Sequence, residues 1–220
     1  MWVAPIERWL FKRADSVIAT CKDEVEWVRD FVSGVKNIEM LSLGECVDFG
    51  RVELVKRVGK RNQLRLLFVG RLHPLKGVEY LIHALHEINH EIHETHENSL
   101  GVTLKIVGKD NGEGEKLQQL VKDFGLDVEF CGVVSEEEKE RAWDWCDVLV
   151  LPTLSENFGL VVAEALERGK RVITTDGAPV WDPGDGVGYG GRLLYLKGFR
   201  DGAKEKKVGL LKKAITAFAE

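Results

Sequence analysis

The order of apolar and amphipathic segments constrains this chain more than any other feature of its sequence. Short apolar runs predict β-strands at residues 16–20, 38–43, 65–69, 103–107, 128–131, 147–151 and 171–175. Amphipathic stretches with helical periodicity alternate with them, at residues 6–13, 23–32, 77–93, 113–124, 136–145, 158–168 and 202–218. Parallel strands need long crossover connections, usually helices. The alternation therefore predicts an α/β fold with a doubly wound parallel sheet.

A break in this pattern divides the chain unequally. Between residues 44 and 63 the apolar periodicity lapses and charged residues dominate, which is typical of an interdomain linker. The segment before the break holds too few strand and helix candidates for a domain with its own core. We therefore predict that residues 1–50 are the remnant of another domain, that residues 51–62 are a linker, and that residues 63–220 form a complete ligand-binding domain.

The composition argues against several classes of protein. The net charge of -5 gives no reason to expect a nucleic-acid partner, and the four cysteines are widely spaced without a CxxC pair, which argues against a zinc site or a disulfide framework. No run approaches the ~20 apolar residues of a membrane span, and residues 1–14 are too few and too charged for a signal peptide. We expect a cytoplasmic protein whose amphipathic first helix allows at most peripheral contact with the inner membrane face.

The segment SENFGLVVAE, residues 155–164, carries the strongest indication of a ligand site. It places Glu156 and Glu164 on either side of a glycine-containing turn that opens a helix. The first N–H groups of a helix have no intrahelical partner and favour an anion, and Gly159 allows that anion to approach closely. Solvated surface glutamates are the simpler alternative. Glu164, however, lies among apolar residues, where a charge needs a partner or an opening to water.

The segment GRLHPLKG, residues 70–77, follows a predicted strand and is basic. Gly70 permits a tight turn, Arg71 can bind phosphate oxygens in a bidentate fork, and Lys76 adds a mobile point charge. Ordinary surface charges would explain this loop in isolation. Ligands of open parallel sheets, however, bind at the carboxyl ends of the strands, so the sequence predicts that this loop and the SENFG turn converge on one diphosphate.

The two segments together resemble the donor-site motifs of the retaining GT-B glycosyltransferases of family four. The resemblance extends over residues 63–179 and includes VITTDGAP at residues 172–179. It implies the Rossmann-like C-terminal half of a GT-B fold, in which Arg71 and Lys76 bind the nucleoside diphosphate and assist its departure. It further implies that Glu156 faces the donor sugar and that Glu164 holds the ribose hydroxyls. The other implied donor-site positions line the base, the sugar and the phosphates: Gly70, Gly108, Val133, Val134, Asn157, Phe158, Gly159 and Leu160.

The resemblance also carries expectations about activity and partners. It implies transfer of a sugar, with retention, from a nucleoside diphosphate sugar to a saccharide or lipid-linked acceptor in cell-surface polysaccharide synthesis, without a metal or other cofactor. Residues 1–50 resemble the end of the acceptor-side N-terminal domain, whose bulk this sequence lacks. A fragment, a natural truncation and the donor half of an enzyme with a separate N-terminal-domain chain all remain open. The alternative function is a nucleotide-sugar-binding module without turnover.

Histidines supply one further candidate site. His83, His86, His90 and His93 follow helical spacing and share one face, opposite an apolar face, which predicts that they are exposed to solvent. Imidazoles at this spacing can bind zinc or nickel. We favour a solvated polar face because nothing in the sequence supplies groups that would orient the imidazoles, and we predict no metal site.

Overall fold

The structure is a computed structural model that describes residues 3–20, 22–40, 63–95, 101–183, 187–188 and 191–219. The chain divides into two compact units. The first comprises residues 1–48 and 179–181, and the second comprises residues 49–178 and 182–220. The predicted linker at 51–62 and the end of the second predicted strand, at 41–43, lie outside the described residues.

The first unit is small and contains helix α1 (Val3–Arg13), strand β1 (Val17–Ala19), helix α2 (Lys22–Phe31) and strand β2 (Ile38–Met40). The two strands form a parallel pair in which Val17 lies opposite Ile38. Several large apolar side chains of this unit are exposed: Ile6, Trp9, Leu10, Ile18, Trp27 and Met40. The unit therefore presents more apolar surface than its two-stranded sheet and two helices cover.

The second unit is a sheet with helices in its crossover connections. Its strands are β3 (Gln63–Val69), β4 (Gly101–Val107), β5 (Val128–Gly132), β6 (Val148–Leu151), β7 (Arg171–Thr175), β8 (Val187–Gly188) and β9 (Leu193–Leu196). Its helices are α3 (Val78–Thr95), α4 (Gly114–Phe124), α5 (Glu136–Trp145), α6 (Leu160–Glu167) and α7 (Lys204–Ala219). The strand order is β5-β4-β3-β6-β7-β9-β8, and among the described strand pairs only β8–β9 is antiparallel. The prediction of a doubly wound parallel sheet is confirmed.

Strand order places the switch point of the sheet between β3 and β6. From β3 the chain builds outward through β4 to β5, then returns to the other side of β3 as β6, with Leu66 opposite Val148. All four residues of β6 are buried, as expected for a strand covered on both faces of a parallel sheet. The loops that follow β3 and β6 are therefore neighbours at the carboxyl edge, where ligands of such folds bind.

The helices begin and pack largely as their local sequence indicates. Ser135 and Glu138 form a capping box at the start of α5, with Ser135 N donating to Glu138 Oε2 over 2.8 Å.

The expectation that the histidines of α3 are exposed is wrong for two of them. His83 and His86 are half-buried, because both pack on Phe124 of α4, and the ring of His86 stacks on it at 4.0 Å.

Candidate functional site

Two loops form the centre of the candidate site, one after β3 and one after β6. Leu154 N donates a hydrogen bond to Leu75 O over 2.7 Å, and Thr153 Oγ1 donates to the same carbonyl over 3.0 Å. These bonds attach the basic loop, residues 70–77, to the segment that leads into the SENFG turn. The two segments therefore lie together as predicted, and these two hydrogen bonds to Leu75 O join them.

Glycines allow the loops of this edge to approach each other closely. Gly77 has a φ of +67°, and a Cβ at this position would lie 2.0 Å from Pro152 O. A Cβ at Gly108 would likewise lie 2.0 Å from Gly70 O, and Gly70 N donates to Val107 O over 2.9 Å. Since no side chain fits at either position, the carboxyl ends of β3, β4 and β6 are in direct backbone contact at the predicted site.

Lys76 and Glu156 form an ion pair across the two loops. Their side chains are only 12% and 23% exposed, so solvent screens the pair less than it would screen a surface pair. Glu156 N also donates to Gly177 O over 2.8 Å, which fixes the turn against the segment after β7. Two of the three residues predicted to be catalytic are thus in contact. The third, Arg71, is an exposed residue near the start of the same basic loop.

The turn before α6 leaves the start of that helix uncapped. Gly159 adopts φ 58° and ψ 50°, and no side chain within the described part of the chain caps the helix there. Helix α6 therefore begins at Leu160, two residues after the predicted start at 158, because the left-handed conformation of Gly159 cannot belong to a right-handed helix. The first N–H groups of α6 consequently face the turn that carries Glu156, with Asn157 exposed and Phe158 half-buried beside them.

Glu164 lies on α6 and pairs with Lys139 of α5. Lys139 Nζ is 2.8 Å from Glu164 Oε2, and the two side chains are 23% and 33% exposed. Glu164 Oε2 is itself buried and accepts no hydrogen bond of good angular geometry from the described residues, so the contact is an ion pair at close range. The predicted need of Glu164 for a partner is met by a residue that the sequence did not indicate.

A second ion pair joins α5 to Arg168, the residue that follows α6. Arg168 contacts Glu140 through two nitrogens and donates from Nη1 to Glu164 O over 3.0 Å. Hydrogen bonding to Arg168 holds the pKa of Glu140 below its ordinary value, and the same contact raises the pKa of Arg168. The backbone around Glu164 is therefore attached to α5 at a second point.

The loops after β4 and β5 lie at the same carboxyl edge of the sheet. Asp110 Oδ1 accepts hydrogen bonds from Gly112 N and Gly114 N, each over 2.9 Å, and these bonds, chiefly that of Gly114, lower the pKa of Asp110. Val133, after β5, is 77% exposed, whereas Val134 is half-buried. Val134 lines a cavity of about 360 Å³ between β4, β5 and α5. Gly108 and both valines thus follow strands of the predicted site.

In the described ranges no group of three or more histidine, cysteine, aspartate or glutamate side chains is arranged to hold a metal ion. No helix within those ranges combines the length and the apolar content needed to cross a bilayer.

Residues 63–190 match the family described as Glycosyl transferases group 1, and this match extends over more than half of the chain. The chain belongs to this family. It is 31% identical over 190 residues to a D-inositol 3-phosphate glycosyltransferase of Nocardioides sp., covering 76% of this chain and 40% of that protein. It is also 31% identical over 178 residues to a glycogen synthase of Mycobacterium tuberculosis, covering 79% of this chain and 40% of that protein. The family member thus spans about 40% of the length of these relatives.

Solved structures share the fold of this glycosyltransferase family member. WaaG, a glycosyltransferase involved in lipopolysaccharide biosynthesis, matches 98% of this chain and 60% of its own at a TM-score of 0.67 and 20% identity. Anabaena HepE, in complex with UDP and glucose, matches 98% of this chain and 61% of its own at a TM-score of 0.62 and 20% identity. The described fold is therefore the C-terminal half of a GT-B glycosyltransferase.

Proposed function

We propose that this chain is the donor-binding half of a retaining glycosyltransferase that transfers a sugar from a nucleoside diphosphate sugar. The observation that carries the proposal is the Lys76–Glu156 ion pair at the switch point of the sheet, beside the uncapped start of α6. Membership of the glycosyl transferases group 1 family supports it. In this proposal residues 63–220 bind the donor, residues 51–62 are the linker, and residues 1–50 belong to the acceptor-side domain.

In the proposed reaction, positive charge around the diphosphate stabilises the leaving group. The phosphates lie over the first N–H groups of α6, which carry partial positive charge, and they replace Glu156 as the partner of Lys76. Glu156 is then free to accept hydrogen bonds from the sugar hydroxyls. Arg71 and Lys76 stabilise the negative charge that develops on the departing nucleoside diphosphate, so we propose that the reaction needs no metal or other cofactor.

The remaining predicted positions have roles in recognition. Glu164 accepts hydrogen bonds from the ribose, and the backbone of residues 157–160 contacts the sugar and phosphates. Gly70 and Gly108 keep the loops close enough for that contact, and the loop with Val133 and Val134 flanks the base. The exposure of Val133 supports this role, because an exposed apolar side chain beside a strand end can pack on a base.

The acceptor half lies outside these residues in the proposed enzyme. The chain spans about 40% of its curated relatives, and its first unit exposes apolar side chains such as Trp9 and Ile18. We propose that the bulk of an N-terminal domain, on the same chain or on a separate one, covers this apolar surface and brings the saccharide or lipid-linked acceptor. The setting we propose is cell-surface polysaccharide synthesis in the cytoplasm, with peripheral contact at the inner membrane face.

The alternative function is a binding module that holds a nucleotide sugar without turnover. A module needs only the donor pocket, and both the Lys76–Glu156 pair and the uncapped start of α6 lie within residues 63–220. Release of nucleoside diphosphate from the donor separates the two functions. Release that appears when the N-terminal-domain chain and an acceptor are added supports the transferase. Tight binding without release under those conditions supports the module.

Calorimetric titration tests the donor site itself. The purified chain is titrated with UDP, GDP, ADP and their sugars, beside the variants Glu164→Ala and Arg71→Ala. Arg29→Ala is the matched control, because Arg29 is an exposed arginine of α2 in the first unit. We expect one nucleotide class to bind, with binding weakened by both site variants and unchanged by the control. Failure of every nucleotide to bind would contradict the proposed function.

A further inference from the structure

Two completely buried threonine side chains lie among the loops of the candidate site. Thr153, in the segment after β6, and Thr175, the last residue of β7, are both 0% exposed. A hydroxyl that is removed from water costs free energy unless it forms hydrogen bonds, and both hydroxyls form them with loop backbone. Valine would fill the same space without a polar group to satisfy, so packing alone does not require threonine at either position.

The Thr153 hydroxyl contacts the backbone next to both members of the Lys76–Glu156 ion pair. Thr153 Oγ1 lies 3.0 Å from Leu75 O and 2.9 Å from Ser155 O, so its one hydrogen is shared between the two carbonyls. Ser155 N donates to the same Oγ1 over 3.3 Å. Leu75 immediately precedes Lys76 in the chain, and Ser155 immediately precedes the other member of the pair. One hydroxyl therefore fixes the backbone beside both charged residues.

The Thr175 hydroxyl extends this attachment to the loop after β7. It donates to Thr153 O and accepts from Gly177 N over 3.3 Å. Gly177 O in turn accepts from Glu156 N over 2.8 Å. A Cβ on Gly177 would lie 2.1 Å from Thr153 O, so no side chain fits between these loops. The two hydroxyls therefore join the loops after β3, β6 and β7.

We propose that Thr153, supported by Thr175, is a positioning residue that holds the basic loop and the SENFG turn at the separation at which one diphosphate contacts both Lys76 and the first N–H groups of α6. The proposal rests on the donor-binding function proposed above. Neither threonine contacts the ligand in this account. Hydrogen bonds to a charged group depend steeply on distance and direction, so loops that are free to move apart bind the diphosphate less tightly.

Binding of nucleotides with one and with two phosphates tests the proposal. UDP and UMP, GDP and GMP, and ADP and AMP are titrated calorimetrically into the unaltered chain, Thr153→Val and Thr153→Ser. In the unaltered chain we expect the diphosphate of the bound class to bind at least about tenfold more tightly than its monophosphate. Thr153→Val should reduce this preference to about threefold or less, because the two loops are no longer fixed against each other. Thr153→Ser keeps the hydroxyl and should keep the preference.

Thr174→Val is the matched control. Thr174 is also 0% exposed, and its Oγ1 donates to Leu151 O over 3.3 Å, so this variant loses a buried hydrogen bond without detaching either loop. Both valine variants should lower the melting temperature, but only Thr153→Val should lose the preference for the diphosphate. Titrations are made at a temperature at which circular dichroism shows every variant folded. If Thr153→Val does not fold, Thr175→Val replaces it, with the same loss of preference expected.

A second substitution tests whether Thr153 acts through the basic loop. Without the Lys76 ammonium group, the separation of that loop from α6 matters less to the diphosphate. In a Lys76→Met background we therefore expect Thr153→Val to weaken diphosphate binding by about threefold at most. A loss as large as in the chain that keeps Lys76 would overturn the proposal.

The titrations separate failure of this proposal from failure of the proposed function. If the unaltered chain binds no nucleotide, or binds monophosphate and diphosphate equally, the proposed function fails and this proposal fails with it. If the unaltered chain prefers the diphosphate and a folded Thr153→Val keeps that preference, the donor site stands and the role of Thr153 is refuted. Loss of the preference in Thr153→Ser as well would refute a role of the hydroxyl.

Discussion

Replacing Gly77 by alanine should separate the two loops of the site. Gly77 ends the short 3₁₀ helix Pro74–Lys76 with a φ of +67°, and a Cβ there would lie 2.0 Å from Pro152 O. A carbon normally stays about 3.3 Å or more from a carbonyl oxygen, so the backbone must move by about 1 Å. The hydrogen bond from Leu154 N to Leu75 O, 2.7 Å long, lies in the same contact and would be strained or lost.

The size of the effect follows from three contributions. The left-handed conformation costs an alanine about 1–2 kcal/mol, overpacking costs about 1–3 kcal/mol, and loss of one hydrogen bond costs about 1 kcal/mol. Gly77→Ala should therefore lower the free energy of unfolding by about 3–6 kcal/mol. For a chain of this length each kcal/mol shifts the melting temperature by about 2–4 °C, so we expect a decrease of about 6–24 °C.

Gly125→Ala is the matched control for this measurement. Gly125 has a similar φ of +61°, but a Cβ there would meet nothing within 4 Å. It should show only the backbone cost of about 1–2 kcal/mol, a decrease of about 4 °C. Thermal unfolding followed by circular dichroism, together with nucleotide titration, measures both variants. Equal melting temperatures for the two variants would refute the close contact of the loops.

Three further predictions concern single side chains. Lys76→Met should weaken nucleoside diphosphate binding about tenfold or more, whereas Glu156→Gln should tighten it by freeing Lys76, and calorimetry that shows the reverse order would contradict the ion pair. Burial raises the pKa of the Cys146 thiol to about 12, so iodoacetamide at pH 8 should label the half-buried Cys131 before Cys146, as peptide mapping can show. The pKa of Asp110 is lowered in the folded chain, so its stabilising effect should be full above its unfolded pKa and vanish as the pH falls through the folded value. The difference in melting temperature between the unaltered chain and Asp110→Ala should shrink accordingly.

The sequence predicted the sheet well because its strands are continuous apolar runs. The predicted strand at 171–175 is the observed β7, and the predicted strand at 128–131 is β5 without its last residue, Gly132. The predicted element boundaries were wrong where the backbone conformation of a residue overrides the apolar periodicity. The helix predicted at 158–168 begins only at Leu160, because Gly159 takes a left-handed conformation that no apolar pattern reveals.

The sequence indicated which loops form the candidate site, but not which of its side chains form ion pairs. Glycines and charges after two strands indicated which loops converge, since strand order follows from the general rules of doubly wound sheets. The pairing of Glu164 with Lys139 could not be read in the same way. It depends on how α5 and α6 are rotated against each other, and Lys139 lies in a run of charged residues that is indistinguishable from a solvated helix face.

The Lys76–Glu156 pair has a consequence for the order of events in turnover. In the proposed function, the sugar contacts Glu156 and the phosphates contact Lys76 while donor is bound. Once the sugar has left, Glu156 would lose its partner and would compete with the diphosphate for Lys76, which it contacts in this structure. The Glu156 carboxylate would thus displace the diphosphate from Lys76. Departure of the sugar would therefore accelerate release of the nucleoside diphosphate product. In the proposed enzyme, the Glu156 carboxylate would become available only after transfer and would then limit product inhibition by the nucleoside diphosphate.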